Sequence, residues 1–225
     1  MATLLSVETS GALCSVAIYA SGRWFEDTRN VERLHNQVVL EILDALSAAA
    51  AVSRRGFDAV AFAAGPGSFT GIRIAAAVCQ GVAFASGARA VPVSSSLALA
   101  TAALRHPECP DGARRILTVT RSRRDAYYLA GYGLGAGAVA SQRLPDRLHL
   151  GAEAPADLPG PEWVAVGHRP EWWPAERSFI IGVETTAVIV GELALLALER
   201  GATVDPAGAL PVYVAGDSPW QPSAR

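Results

Sequence analysis

The sequence predicts an α/β protein built on mixed sheets, and three observations carry that prediction. Apolar runs of strand length alternate with stretches of helical period. The first three runs are separated only by short polar turns, which implies antiparallel neighbours. The next ones are separated by helices, which implies parallel crossovers on the same sheet.

The elements follow in order. Leu4 to Glu8 is a short apolar run, Thr9-Ser10-Gly11 is turn chemistry, and Cys14 to Ala20 is a second run. Ser21-Gly22 turns the chain into a third strand ending near Asn30. Leu34, Val38, Ile42 and Ala45 then recur at helical spacing, with Leu40, Leu43 and Leu46 widening the stripe, so residues near 34–51 are expected to be an amphipathic helix. Asp58 leads into an apolar strand, Ala59 to Ala63, which the segment Gly65-Pro66-Gly67-Ser68-Phe69-Thr70-Gly71 breaks. A second helix is expected from about Ile72 to Ser86, and a further strand from Ala90 to Val93.

In the second half, Ile116 to Thr120 and Ala126 to Tyr132 flank the polar turn Arg121 to Asp125. This echoes Leu4 to Tyr19 and hints at an internal duplication. Residues 133–162 are rich in Gly, Ala and Pro and give no clear element. Residues 184–200 again read as a helix, Pro211 to Ala215 as a closing strand, and Asp217 to Arg225 as a loose tail. His106, Pro107, Pro110 and Gly112 place a boundary near 94–110, giving expected domains 1–100 and 101–225.

The bulk numbers exclude several classes. The chain has 225 residues, is 51% hydrophobic and carries a net charge of −2. That balance argues against gripping nucleic acid unaided, because phosphate binding needs clustered Lys and Arg. Cys14, Cys79 and Cys109 lie far apart without a C-x-x-C pair, which fits a reducing compartment. The N-terminus has no basic region before its apolar run, and the apolar stretch Ile74 to Ala85 is interrupted by Gln80 and Gly81, short of a bilayer span. The cytoplasm is the expected location.

The candidate motifs are few. Segment 65–71 lies between strand and helix, where backbone N–H groups can face a phosphate. Thr70 stands where a dinucleotide fingerprint needs Gly, and Ile72-Arg73 where a P-loop needs Lys and a hydroxyl residue. A tight turn with Thr70 capping the next helix explains the segment equally well. Ser68 lacks the Gly two residues earlier that a nucleophile elbow requires. His35, His106, His149 and His168 form no ligand pair, so no metal site is expected, and a capping role suffices for His35. Arg121, Arg123 and Arg124 read as a solvated turn, and Trp172 and Trp173 as loop anchors. The helix from Ile72 to Ser86 is apolar almost all round, so it needs a second covering from this chain or from a partner.

Two stretches carry a family resemblance. Leu4-Leu5-Ser6-Val7-Glu8-Thr9-Ser10 with Cys14-Ser15-Val16-Ala17, and Gly65-Pro66-Gly67-Ser68-Phe69-Thr70-Gly71-Ile72-Arg73-Ile74 with Gln80-Gly81, resemble the TsaB (YeaZ) family of bacterial tRNA threonylcarbamoyladenosine (t6A) biosynthesis proteins. The match is good over about the first hundred residues and thins afterwards. It implies an actin-like ATPase fold (ASKHA, ribonuclease H-like) of two related subdomains. It also implies a non-catalytic scaffold in a heterodimer with a TsaD-type transferase, completed by a TsaE-type ATPase, with tRNA reached only through the complex.

The family's interface helices correspond here to residues near 34–51 and 72–86. The expected interface residues are Leu34, Val38, Ile42, Ile74, Ala77, Val78 and Gln80, with Gly65, Gly67, Thr70 and Arg73 shaping the helix start. Catalytic members of the wider family hold a metal with a His pair, and Ser95 and Leu99 stand at those positions. Glu8 replaces a common Asp, and Arg121 stands where another Asp is frequent, which weakens an ATP–Mg²⁺ site. No cofactor is assigned to this chain, and ATP or ADP is expected only at the partner interface. An ATP-dependent phosphotransferase, a glycoprotease-type metalloenzyme and a self-associating scaffold are the alternatives.

Overall fold

The first three strands, β1 (Leu4–Glu8), β2 (Leu13–Ala20) and β3 (Arg23–Asn30), pair antiparallel as consecutive hairpins. Positive φ at Ser21 (51°) and Gly22 (81°) makes the tight two-residue turn that the Ser-Gly pair predicts. The computed structural model describes residues 2–31, 34–135 and 138–216. Helix α1 (His35–Ala49) leads to β4 (Ala59–Gly65), and α2 (Phe69–Ser86) leads to β5 (Arg89–Ser94); both strands run parallel to β1. The first sheet therefore has the order β3-β2-β1-β4-β5.

The second sheet repeats this plan. Strands β6 (Arg115–Arg123), β7 (Ala126–Gly135) and β8 (Ala138–Leu150) pair antiparallel, and β9 (Val164–Gly167) and β10 (Phe179–Ile180) add parallel on the other side of β6. Its order, β10-β9-β6-β7-β8, matches the first sheet strand for strand and direction for direction. The faint sequence echo between the two halves marks a duplicated sheet.

Four expectations change. Region 133–162 contains the long strand β8, which its Gly, Ala and Pro content hides. Residues 211–215 form no strand, although the Val212 N–H donates to the Ala64 carbonyl at 2.8 Å. Helix α2 starts at Phe69 rather than Ile72, and with 18 residues it is long and apolar enough, by length and composition, to cross a membrane. In this fold Ile72, Ala75, Ala76, Cys79 and Ala83 bury it on the sheet instead. The expected tail, 217–225, lies outside the described residues.

The fourth change concerns the division of the chain. Helices α1 and α2 both cover one face of the first sheet, where Val39, Ile42 and Leu43 meet Val7, Val16 and Phe62. The opposite face, with Leu4, Ala61, Ala63 and Val91, needs its own cover. Helix α3 (Ser95–Ala103) and helix α4 (Ala187–Glu199) supply it. Thus α4 belongs to the first sheet although it lies far along the chain, and the expected split at residue 100 does not partition the structure.

Two buried serines show how tightly α4 is held. Ser6 Oγ donates to the Ala187 carbonyl at 2.7 Å, and Ser15 Oγ accepts the Ala187 N–H at 2.9 Å. Both serines are fully buried, so these bonds offset a desolvation cost of about 1–3 kcal/mol per group. Gly191 completes the fit, because a Cβ there would come within 2.2 Å of the Trp24 ring. The sequence gives no sign of α3, since Ala98, Leu99, Ala100, Ala102 and Ala103 are all buried and leave no polar face.

A fragment of residues 1–105 retains every strand of the first sheet but lacks α4. It is expected to expose Leu4, Ala61 and Val91 and to lose cooperative unfolding. A sharp thermal transition with native near-UV circular dichroism for that fragment would contradict the assignment of α4.

Candidate functional site

The C-terminal ends of β1, β4, β6 and β9 point toward one another across the gap between the sheets. They enclose a cleft of about 480 Å³. Ser10, Gly11, Pro66 and Ser68 form one wall, and Thr120, Arg121, Ser122 and His168 form the other. Ser95 and Leu99 of α3 lie at its base, and the segment 182–185 closes a side.

The glycine-rich segment forms its wall by close backbone approach. Ser68 N–H donates to the Ser10 carbonyl at 2.7 Å, and Thr9 Oγ1 donates to the Gly71 carbonyl at 2.8 Å. A Cβ on Gly67 would sit 2.7 Å from the Ser10 carbonyl oxygen, and one on Gly71 only 1.8 Å from that of Thr9. Gly65 has φ of 118°, and a Cβ there would meet the Val212 carbonyl at 2.7 Å. The helix cap is Ser68, whose Oγ accepts the Gly71 N–H at 3.3 Å, whereas Thr70 is exposed in the first turn. The N–H groups of Gly65, Ser68 and Gly71 all have acceptors inside the chain, the first from Ser95 Oγ at 3.1 Å. These three N–H groups are therefore engaged within the tight turn, whose cap is Ser68 rather than the expected Thr70.

Arg73 has a comparable role. Its guanidinium lies 3.3 Å above the Phe69 ring centroid and 5.2 Å from that of Tyr213. The motif arginine thereby clamps the segment after the short 3-10 turn Pro206–Gly208 onto the start of α2.

The titratable groups near the cleft are unusual for their burial. Glu8 is 1% exposed, and burial pushes its carboxyl up to about 7 despite the Ser10 N–H donating to Oε1 at 2.5 Å. Its Oε2 is buried without a hydrogen-bond partner, which a proton on the carboxyl makes tolerable. Burial also raises Glu184. His168 is shifted downward, by burial and then by the charge of Arg121, whose backbone N–H lies 3.4 Å from Nδ1.

These residues do not fit a resident metal of the kind the wider family holds. Leu99 offers only methyl groups, Ser95 already accepts the Gly65 N–H, and Arg121 brings a positive charge to the opposite wall. The other histidines are dispersed: the His35 ring meets the Leu13 carbonyl at 3.2 Å rather than capping α1, and His149 meets that of Glu153 at 2.8 Å. Among the described residues no group of three or more His, Cys, Asp or Glu side chains converges. Burial raises the Cys14 thiol to about 11 and pushes the Cys79 thiol up as well, so both are inert packing groups.

The second candidate surface is the outer face of α1 and α2. Of the predicted interface residues, Leu34 is 49% exposed and Ala77 is also open. Ile42 is a correction: it is fully buried and holds α1 on the sheet. Val38, Ile74 and Val78 are half-buried against the same core. Gln80 is half-buried too, and its Nε2 donates to the Pro206 carbonyl at 3.0 Å, so it ties α2 to the 3-10 turn. Phe84 and Leu40 are the residues that the interface prediction missed, at 62% and 54% exposed. Periodicity alone places Leu40 within the widened apolar stripe, and only the docked helices show that both side chains stay outside the buried set.

With this geometry in place, comparison with known proteins decides the family. A family model described as TsaD, tRNA N6-adenosine threonylcarbamoyltransferase, matches residues 29–140. The chain is 30% identical to the Escherichia coli tRNA threonylcarbamoyladenosine biosynthesis protein TsaB, over 97% of this chain and 96% of that one. The chain belongs to the TsaB family. The Haemophilus influenzae TsaB protein is 38% identical over 45% of this chain, a match that takes in 43% of that protein. The solved structure of YeaZ from Pseudomonas aeruginosa superposes with a TM-score of 0.80 at 32% identity, covering 95% of this chain and all of that one. The duplicated mixed sheets thus form the actin-like ATPase type of α/β fold that the resemblance implies.

Two outcomes test the site. Gly71→Ala is expected to destabilise the protein by about 3 kcal/mol or more in chemical denaturation, because the obstructing atom is a backbone carbonyl in a strand turn; a loss below about 1 kcal/mol would refute the close-approach account. Glu8 holds its proton more tightly when folded, at about 7, than at its ordinary value of 4.5, so the stability it contributes is complete below 4.5 and is lost as pH rises through 7. Glu8→Gln should therefore raise the melting temperature above that of the parent at pH 8 and leave the two nearly equal at pH 4.5.

Proposed function

We propose that this chain is a non-catalytic scaffold in tRNA threonylcarbamoyladenosine synthesis, binding and activating a TsaD-type transferase through the outer face of α1 and α2. The observation that carries the reading is that face itself. Leu34, Leu40 and Phe84 are exposed there, and α2 adds a run of small exposed residues at Ala77, Gly81 and Ala85. Gly81 costs a helix interior about 1 kcal/mol relative to Ala. Nothing in the chain requires it, since a Cβ at that position meets no atom within 4 Å. A helix from another polypeptide would approach closely over such a surface, and its arrival would remove the exposed leucines and phenylalanine from water.

The reading is supported by the E. coli relative, a tRNA threonylcarbamoyladenosine biosynthesis protein, and by the match to the threonylcarbamoyltransferase family model. The cleft's donor set supports the non-catalytic part of it, since Leu99 and the already bonded Ser95 stand where a metal pair would be needed. A TsaE-type ATPase is proposed as the further component. Pairing of two copies through the same face is the second reading, favoured by Leu34, Leu40 and Phe84, apolar side chains that a second copy would cover equally well.

Ala77→Arg tests the interface. Ala77 is exposed, so the free protein should keep its melting temperature, while a charge placed in a closed interface should abolish co-elution with the partner on size exclusion. Undiminished co-elution would exclude this face. Sedimentation of the parent across concentration separates pairing of copies from a monomer.

A further inference from the structure

Beside the cleft, where β6 turns into β7, a second concavity of about 540 Å³ opens, with Arg121 on the lip of both. We propose that it is an RNA contact site, taking the phosphodiester backbone and one unstacked base of the tRNA handled by the assembly. This rests on the proposed role of the chain in tRNA modification and adds to it a direct contact with the nucleic acid.

The sequence reading treats Arg121, Arg123 and Arg124 as a solvated turn and Trp172 as an anchor. The structure brings them together: all three arginines, Tyr127 and Trp172 line one hollow. Positive φ at Asp125 (53°) turns the hairpin and brings Arg124 beside the strand residues. Arg124 is 96% exposed, and its carboxylate neighbour Asp125 is 3.9 Å away, at the outer limit of an ion pair. Arg121 lies over the Tyr127 ring at 5.9 Å, and its charge is also felt by His168 on the wall of the cleft.

The aromatic floor is rigid. Trp172 is half-buried and packs edge-on against Tyr127 at 5.9 Å and 85° and against His149 at 5.3 Å and 84°. A fixed ring beside guanidinium groups suits a nucleotide, whose base stacks while its phosphate takes paired N–H donors. An acidic peptide would use the arginines but not the rings. The carboxylates Asp125 and Glu171 line the same hollow and temper the charge of Arg121 and Arg124, so the site suits a local contact within an assembly rather than unaided capture. That agrees with the net charge of −2.

The test compares the parent chain with Arg121→Gln/Arg124→Gln, each in complex with the TsaD-type partner. Anisotropy with labelled unmodified tRNA is measured from 50 to 200 mM salt. The double variant should bind roughly 10-fold more weakly near 100 mM, and its log K against log salt slope should be shallower by about 1.4, two phosphates at about 0.7 each. Equal affinity and slope would overturn the proposal. Size exclusion in parallel reports the heterodimer: loss of tRNA affinity with the heterodimer intact supports the contact. If the parent forms no heterodimer, the scaffold role fails, and the same comparison on the chain alone at 50 mM salt, with protein raised to high micromolar concentration so that a weak local contact is measurable, decides the RNA site independently. Displacement of the RNA by micromolar AMP or inorganic phosphate would overturn RNA as the ligand in favour of a free phosphate compound.

Discussion

The packing of the Gly65–Gly71 segment against the Thr9–Ser10 turn is the contact on which the rest of the structure depends. Backbone approaches backbone there at distances that admit no Cβ, with Gly71 facing the Thr9 carbonyl and Gly67 facing that of Ser10. Bonds from Ser68 N–H and Thr9 Oγ1 close the contact from both sides. This fixes the start of α2 relative to β1, and with it the outer helical face and one wall of the cleft. A segment that the sequence leaves open between a phosphate contact and a tight turn thus joins two parts of its own chain.

The same economy of polar groups runs through the first sheet. Ser6 and Ser15 sit among apolar neighbours, where unpaired hydroxyls would be costly, and both are spent on the start of α4. Ser96 Oγ reaches the Asp146 carboxylate at 2.5 Å, tying α3 to β8 of the other sheet. The two sheets are thus joined by hydrogen bonds that a purely apolar core would leave unspecified in direction. Glu8 is the exception, a buried carboxyl with one oxygen unpartnered, and its position beside the cleft makes it the group whose charge state the local packing controls.

Surface chemistry then divides the molecule into two working regions. The α1–α2 side is apolar and fine-grained, with small residues between Leu40 and Phe84, and is suited to close helix contact. The β6–β7 end is cationic and aromatic, and is suited to a polyanion with stacking faces. The cleft between the two sheets is separate from the helical face, and Leu99, Ser95 and Arg121 give it the wrong chemistry for a metal. In the scaffold role proposed above, the chain contributes surfaces and its partner the chemistry.

The sequence by itself determined the three-strand meander, the helix–strand alternation after it and the specific motif at residues 65–71, because each rests on local periodicity or turn chemistry. It also marked α2 as too apolar for one-sided burial. Tertiary structure decided the rest. The long strand β8 is hidden by Gly, Ala and Pro because its stability comes from pairing with β7, and α3 is hidden because burial on both sides erases its period. Which helical residues face outward was misjudged at Ile42 and missed at Leu40 and Phe84, since phase relative to a sheet is fixed only when the helix docks. The return of α4 to the first sheet and the meeting of Arg121 with Trp172 are likewise contacts between distant parts of the chain, set by which apolar face needed cover and by the register of the second sheet.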